Sequence, residues 1–495
     1  MNTGTMLNAY PDSMGGRLSD IIEILRLPEF ENAFRSFYIL PSLFHSDLDR
    51  GFSVIDYGID ENYAVPEDLD SLKDMGIDLK LDFVLNHLSV RSPQFTDILE
   101  KGSQSEYKDF FIDWNRFWQG CGEMTDEGYI RPDPELIKDM FFRKAGLPIL
   151  KVAFPDGSYV PYWNTFYQEV VTDADGKPGY LGQMDLNIDS PKVKDFYRAT
   201  LEKLADYGAG LIRLDAFAYA AKAPGRRNFF NEPETWDLLR ELQETADRRG
   251  LTLLPEIHAS YAEKTYEKMA EKGYPIYDFF LPGLIIDAFE RKSGEILAGW
   301  GREIVDRNYM TVNMLGCHDG IPLLDLKGLL TEDEIQRLIS VVVSRGGRVK
   351  DLHGAKNVYY QVNATYYSAL GEDDRKLILA RAIQLFMPGK PQIWYLDLFA
   401  GRNDYRAVEL AGAGGHKEIN RTNLSRKAID AALQRPVVQK QLELLRFRNT
   451  CPAFGEGGET EFDCVGSRLS IRRTNGECTA ALTVDFDTLD YEITN

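Results

Sequence analysis

Residues 210–219 read Gly210-Leu211-Ile212-Arg213-Leu214-Asp215-Ala216-Phe217-Ala218-Tyr219, and this stretch decides the fold. A short apolar run, as suits a strand covered on both faces, ends directly in an acid. Upstream, Val193, Phe196, Tyr197, Leu201 and Leu204 recur at helical spacing. Downstream, Trp236, Leu239, Leu242 and Ala246 do the same ahead of another apolar run, Thr252 to Pro255. Strand and helix therefore alternate. Working outward, comparable runs occur at Thr5–Tyr10, Phe37–Leu40, Leu79–Leu85, Pro275–Phe280, Met310–Leu315 and Pro391–Tyr395, which makes eight candidate strands. Eight near-continuous apolar strands alternating with helices predict an α/β fold, a (β/α)8 TIM barrel.

Two stretches break the alternation. Residues 88–183 are rich in aromatics, Pro and Gly without a strand–helix repeat. Residues 321–371 begin with a helix capped at Thr331-Glu332-Asp333-Glu334 and end irregularly. They are expected to be insertion domains after strands 3 and 7, where barrels carry the loops that shape substrate sites. After a helix around Val437–Arg448, the short runs Arg468–Arg473, Thr479–Val484 and Tyr491–Thr494 predict a small C-terminal β domain over 453–495. The barrel then consists of residues 1–87, 184–320 and 372–452. The aromatics between Asp109 and Trp118 are expected to form the core of the first insertion.

The chain has 495 residues, with 57 Lys and Arg against 77 Asp and Glu, a formal net charge of −20. Nothing global attracts a polyanion, so nucleic acid is not an expected partner. With 44% hydrophobic, 12% aromatic and 27% charged residues, the composition is that of a globular protein. The start, Met1-Asn2-Thr3-Gly4-Thr5, carries no signal-like pattern. The most apolar stretch, Leu377–Ala400, is broken by Arg381, Gln384, Lys390 and Asp397, so no membrane association is expected. Five scattered cysteines without metal-like spacing suit a reduced, cytoplasmic protein.

The candidate chemistry lies at strand ends. Asp215 follows Ile212-Arg213-Leu214, Glu256 follows Leu253-Leu254-Pro255, and Asp319 follows Cys317-His318. An acid after a strand is usually a helix cap, but three of them at carboxyl ends of barrel strands mark the functional face. Asp82 and the pair Asn86-His87 close strand 3, and Arg213 is placed to hold a carboxylate ionised.

These residues carry a resemblance. Asp82–His87 (D-x-x-x-N-H), Arg213–Tyr219 (R-x-D-A-x-x-Y), Pro255–His258 (P-E-I-H) and His318–Gly320 (H-D-G) resemble the four ordered motifs of glycoside hydrolase family 13, the α-amylase family. Asp49-Arg50-Gly51-Phe52, Tyr360–Gly371 and Ile419-Asn420-Arg421 are similar to the sucrose phosphorylase subfamily. The resemblance implies that Asp215 is a nucleophile, Glu256 a general acid/base and Asp319 a transition-state stabiliser, in a retaining hexosyltransferase reaction through a glucosyl-Asp intermediate. It also implies glucose contacts from Asp49, Phe52, His87, Phe166, Arg213, Tyr219, His318 and Arg421, and acceptor or phosphate contacts from Arg143, Tyr360 and Gln361. Arg213 is expected to keep Asp215 charged. No role is expected for His45 or His416, and no metal or cofactor, phosphate being a co-substrate. A monomer or homodimer is expected.

On the acceptor side the chain departs from the subfamily pattern at Val358, at Thr422-Asn423-Leu424, and in the longer segment Tyr167–Gly182. His318–Pro322 with Cys317 resembles sucrose 6-phosphate phosphorylases, whereas Gly51–Tyr57 with Arg402–Tyr405 resembles glucosylglycerate phosphorylases. Gln361 favours a sucrose-like acceptor. Sucrose phosphorolysis to α-glucose 1-phosphate and fructose is therefore the leading expectation. Sister phosphorylases of sucrose 6-phosphate, glucosylglycerate or glucosylglycerol follow, then a hydrolase or transglucosidase of the same fold. A non-enzymatic binding protein has no need of all three acids.

Overall fold

A computed structural model describes residues 2–140, 142, 146–172, 178–349, 361–412 and 415–495. All eight expected runs are strands: β1 (Met6–Ala9), β2 (Ser36–Ile39), β3 (Asp78–Val84), β4 (Ala209–Asp215), β5 (Thr252–Pro255), β6 (Ile276–Asp278), β7 (Thr311–Met314) and β8 (Lys390–Trp394). They form one parallel sheet in the order β5-β4-β3-β2-β1-β8-β7-β6, with β5 and β6 lying side by side to close the ring. This is the (β/α)8 barrel. β1, β2 and β7 are buried along their whole length, which is why their sequences show no polar alternation. The helix Pro191–Asp206 buries Val193, Tyr197, Leu201 and Leu204, and the helix Glu234–Arg249 buries Leu239, Leu242 and Ala246.

Register places the chemistry. β4 pairs with β3 so that Arg213 lies opposite Asp82 and Asp215 opposite Val84. Because side chains alternate along a strand, Asp82 with Lys80, and Arg213 with Asp215, share the inner face of the barrel. Glu256 follows the last residue of β5, whose Leu254 lies opposite Arg213.

After β3 the chain leaves the barrel. A strand at His87–Ser89 pairs antiparallel with Pro178–Asp185, which also pairs with Gln168–Thr172, so this sheet straddles the expected limits of the insertion. Two hairpins join Gly122–Met124 to Ile130–Pro132 and Ile149–Ala153 to Tyr159–Trp163. Ile112, Trp114, Trp118, Ile130 and Trp163 form a separate small core, whereas Phe110 and Phe111 pack into the main one. After β7, Thr331 caps the helix Glu332–Ser344: its Oγ1 accepts from the Glu334 amide while the Glu334 carboxylate accepts from the Thr331 amide.

The C-terminal unit is a four-stranded antiparallel sheet: Glu459–Val465, Arg468–Asn475, Cys478–Asp485 and Asp490–Thr494. Its first strand was not expected. Glu459, Glu461 and Asp463 occupy its exposed face, and acids are poor strand formers, so its alternation does not read as a strand. No helix among the described residues is long and apolar enough to cross a membrane.

Candidate active site

Arg213 is the centre of the first of two charge clusters at the barrel mouth. Its Nη1 lies 2.5 Å from Asp82 Oδ1 and 2.7 Å from Asp215 Oδ1, and its Nη2 lies 2.7 Å from Glu256 Oε1. The Tyr38 hydroxyl donates to Asp82 Oδ2 at 2.7 Å, so Asp82 anchors the guanidinium from below. One cation therefore serves three carboxylates. The Ala216 amide, at a left-handed φ of +52° just beyond β4, adds a 3.4 Å hydrogen bond to Glu256 Oε2.

The proton distribution differs from the sequence expectation. Burial pushes the Asp215 carboxyl well up; Arg213 opposes this, but the negative charges of Glu256, Asp82 and Asp319 add to the rise. Burial also acts to raise Glu256, yet Arg213 and then His258 outweigh it and hold that carboxyl well below the usual range. In the free site Glu256 carries charge more readily than Asp215. A guanidinium shared among three acids does not assign its charge to the nearest residue in sequence.

The second cluster surrounds Asp319. Lys417 Nζ lies 2.7 Å from Asp319 Oδ1, and Arg421 Nη2 lies 3.6 Å from the same oxygen. Arg421 Nη1 reaches Asp49 Oδ1 at 3.3 Å, and Lys417 lies 3.9 Å from Asp49 Oδ2. Burial alone would raise Asp319, but His318, Lys417 and Arg421 hold it well below the ordinary carboxylate value. Burial pushes His318 down to about 3, so its imidazole is neutral at neutral pH. His318 Nδ1 is buried without a hydrogen-bond partner among the described residues.

Asp49 and Arg50 both have left-handed backbone, at φ +47° and +49°, a strained pair that leads into Gly51 at φ +110°. A Cβ at Gly51 would meet the Ser42 nitrogen at 2.1 Å. Arg50 stabilises this loop by stacking on Tyr10 and donating to the Arg421 carbonyl, to Asn423 Oδ1 and to Asp12. The departure at Asn423 therefore has a structural use: its amide group joins the loop of Asp49 to the loop of Arg421.

Phe52 stacks on His318 with centroids 4.9 Å apart and lies 5.4 Å from the Arg213 guanidinium. His87 sits beside Phe166, which meets Tyr219 edge-on. Burial pushes His87 down to about 4; its Nε2 donates to the Phe52 carbonyl at 2.9 Å, and its Nδ1 faces Asn86 at 3.4 Å. Both ring nitrogens thus face protein groups, so His87 shapes the wall of the site. Gln361 is buried next to the strand Val362–Asn363, and Val362 exchanges backbone hydrogen bonds with Ile321, two residues from Asp319. Arg143, Tyr360 and Val358 lie outside the described residues.

Three contributors escaped the sequence reading. Lys417 was detectable, being four residues from Arg421. His258 was quoted within its motif without a role; it contacts Asp325, 67 residues away, and no spacing rule reveals that. Lys222 is the third. Its buried ammonium lies 2.8 Å from Asp185 Oδ2 and donates to Asn86 Oδ1 at 2.8 Å and the Tyr219 carbonyl at 2.6 Å. The oxygens around Asn86 are thereby gathered on an amine of the chain itself. Among the described residues no group of three or more His, Cys, Asp or Glu is arranged to hold a metal ion.

A parallel eight-stranded barrel with Asp, Glu and Asp at the carboxyl ends of β4, β5 and β7 has the architecture of the α-amylase class. The family described as "Alpha amylase, catalytic domain" matches residues 31–279. A sucrose 6(F)-phosphate phosphorylase of Ilumatobacter coccineus is 56% identical, with 99% of this chain and 95% of the relative covered. A sucrose phosphorylase of Streptococcus mutans is 35% identical over 99% of this chain and 97% of its own length. The crystal structure of sucrose 6F-phosphate phosphorylase from Thermoanaerobacter thermosaccharolyticum superposes with a TM-score of 0.89 at 34% identity, covering 100% of this chain and 95% of that one. The chain belongs to the α-amylase family, glycoside hydrolase family 13, within its sucrose phosphorylase subfamily of glucoside phosphorylases.

Proposed function

We propose that the protein is a retaining α-glucoside phosphorylase that moves a glucosyl group from sucrose 6F-phosphate to inorganic phosphate, giving α-D-glucose 1-phosphate and fructose 6-phosphate. The observation that carries the chemistry is Arg213 bridging Asp215 and Glu256 through its two terminal nitrogens. That bridge favours the short carboxylate spacing of a double displacement, about 5–5.5 Å, over the wider gap that admits a water. Asp215 attacks the anomeric carbon and Glu256 gives a proton to the leaving oxygen. Asp319, held ionised by Lys417 and Arg421, binds the sugar hydroxyls and stabilises positive charge at the ring. Phosphate then displaces Asp215 from the same face, so the product keeps the α configuration. No metal or organic cofactor takes part in these steps.

Sucrose was the leading substrate on sequence alone. The 56% identical relative moves the phosphorylated sugar ahead of it. The sequence from 348 to 356 supports the same choice: it contains Arg348, Lys350, His353 and Lys356 and a single acid, Asp351, in a chain of net charge −20. Such a stretch suits a second phosphate. Unphosphorylated sucrose is the second reading, favoured by Gln361.

The test runs the reaction in reverse, with α-glucose 1-phosphate as donor and fructose 6-phosphate, fructose, glycerate or glycerol as acceptor. The phosphorylated ketose is expected to give the highest kcat/KM, and a preference for fructose would return the reading to sucrose. Release of free glucose alone from sucrose or its 6F-phosphate, with phosphate present, would sink the phosphorylase reading.

A further inference from the structure

The free site raises a question of proton supply, because Glu256 is the acid that needs a proton and its surroundings hold its carboxyl below the usual range. A proton carrier lies beside it. His258 Nε2 is 3.5 Å from Glu256 Oε1, and His258 Nδ1 is 3.0 Å from Asp325 Oδ2. The ring is clamped flat against Phe279, with centroids 3.9 Å apart at 19°, so its two nitrogens point along a fixed line between two acids. Asp325 is buried in the loop after β7, and Glu256 ends β5. Carboxylate, imidazole and carboxylate are thus in series, Glu256 and His258 from the segment after β5 and Asp325 from the loop after β7.

We infer that Asp325, His258 and Glu256 form a proton relay in which His258 supplies the proton that Glu256 delivers to the leaving oxygen. The inference rests on the phosphorylase reading above and assigns His258 a positioning and proton-holding role that acts through Glu256. In the first half-reaction the His258 Nε2–H bond breaks, its electron pair staying on nitrogen, and an Oε1–H bond forms on Glu256. That proton passes to the glycosidic oxygen as the C1–O bond breaks with its pair going to oxygen, while Asp215, whose own proton leaves to solvent on substrate binding and is regained after product release, bonds to C1 as a carboxylate. The leaving sugar departs with its released hydroxyl protonated, Glu256 is again a carboxylate and His258 a neutral imidazole. In the second half-reaction a dihydrogen phosphate oxygen attacks C1, Asp215 leaves as a carboxylate, and the phosphate proton returns through Glu256 to His258. Charge and protons balance over the cycle.

The surroundings suit a base that holds a proton at neutral pH and can release it. Burial acts to lower His258, but Asp325 and then Glu256 outweigh it and hold it at about 9. Beyond these two, the charged groups in reach are Arg213 and Asp319, which act on Glu256, and Glu263, which acts on Asp325. Asp325 fixes the ring as the donor toward Glu256, as the buried Asp does for His in hydrolase triads.

The experiment compares two donors in the full-length enzyme: the α-glucoside it cleaves best and α-D-glucosyl fluoride, whose fluoride leaves without a full proton transfer. Release of the leaving group is measured whatever receives the glucosyl unit. His258→Asn is expected to slow the α-glucoside about 100-fold or more, and the fluoride less than about threefold. In Asp325→Asn, the alkaline limb of kcat/KM for the α-glucoside is expected to move from about 9 toward the ordinary histidine value of about 6.5. That second variant decides the matter if His258→Asn does not fold. Equal losses on both donors, or an alkaline limb that stays in place in Asp325→Asn, would overturn the relay and leave Asp215 as the proton source. Failure of the wild-type enzyme to make glucose 1-phosphate from glucosyl fluoride and phosphate would instead count against the phosphorylase reading, with the relay still judged on the ratio of the two donors.

Discussion

The two charge clusters at the barrel mouth use similar residues to opposite ends. Around Arg213, three carboxylates share one guanidinium; around Asp319, two cations, Lys417 and Arg421, face Asp319 and Asp49. In the first, charge is in short supply on the positive side, so small changes decide which acid holds a proton. In the second, charge is matched, so Asp319 stays ionised whatever happens next to it. Matched charge suits a grip, and unmatched charge suits a group that must gain and lose a proton within one turnover.

Breaking the unmatched cluster has the largest expected effect. Asp215→Asn keeps the shape and removes the carboxylate proposed as nucleophile, and glucose 1-phosphate formation should fall by about 10⁴-fold or more; unchanged turnover would refute the assignment. Lys222→Met breaks a fully buried ion pair with Asp185 and is expected to lower unfolding stability by about 3–5 kcal/mol, read by denaturant titration. Turnover of the protein that remains folded should fall less than in Asp215→Asn. Opening the matched cluster is milder. Lys417→Met removes one charge-assisted contact from Asp319, about 1.5–3 kcal/mol, and should appear mainly as a higher KM for the α-glucoside. A pure loss of kcat would show that Asp319 does not act as a grip.

A further effect is on pH stability. His258 is held at about 9 in the folded protein, above its ordinary value of about 6.5, so folding takes up a proton at this residue. Its pairing with Asp325 therefore stabilises the fold fully below pH 6.5, and the contribution is lost as pH rises through 9. Thermal melts of wild type and His258→Asn should differ most below pH 6.5 and converge above pH 9.

The barrel was legible because parallel strands covered on both faces must be apolar throughout, and acids directly after such runs stand out. The acids at 215, 256 and 319 were legible for that reason, and Arg213 from its place on the same strand as Asp215. Which acid holds the proton was not, because it depends on how one guanidinium is shared among side chains from three strands. The partnership of His258 with Asp325 was hidden by sequence distance, and the strand Glu459–Val465 by its acidic outer face. His87 illustrates a different limit. Its motif singles it out, but only the fold reveals that the Phe52 carbonyl and Asn86 face its ring nitrogens.

Lys222 has a consequence in terms of mass action. An ion drawn from solution occupies its place according to its concentration, and a chelator or dilution can empty it. A side-chain amine tethered to the chain has a fixed local concentration, so the bracing of Asn86 and Asp185, and with it the wall behind His87, should not depend on the ionic composition of the medium. Melting temperature is expected to be the same with excess chelator as with millimolar calcium. The wall behind His87 is in this sense a covalent property of the chain, set once at folding and not renegotiated with the solvent.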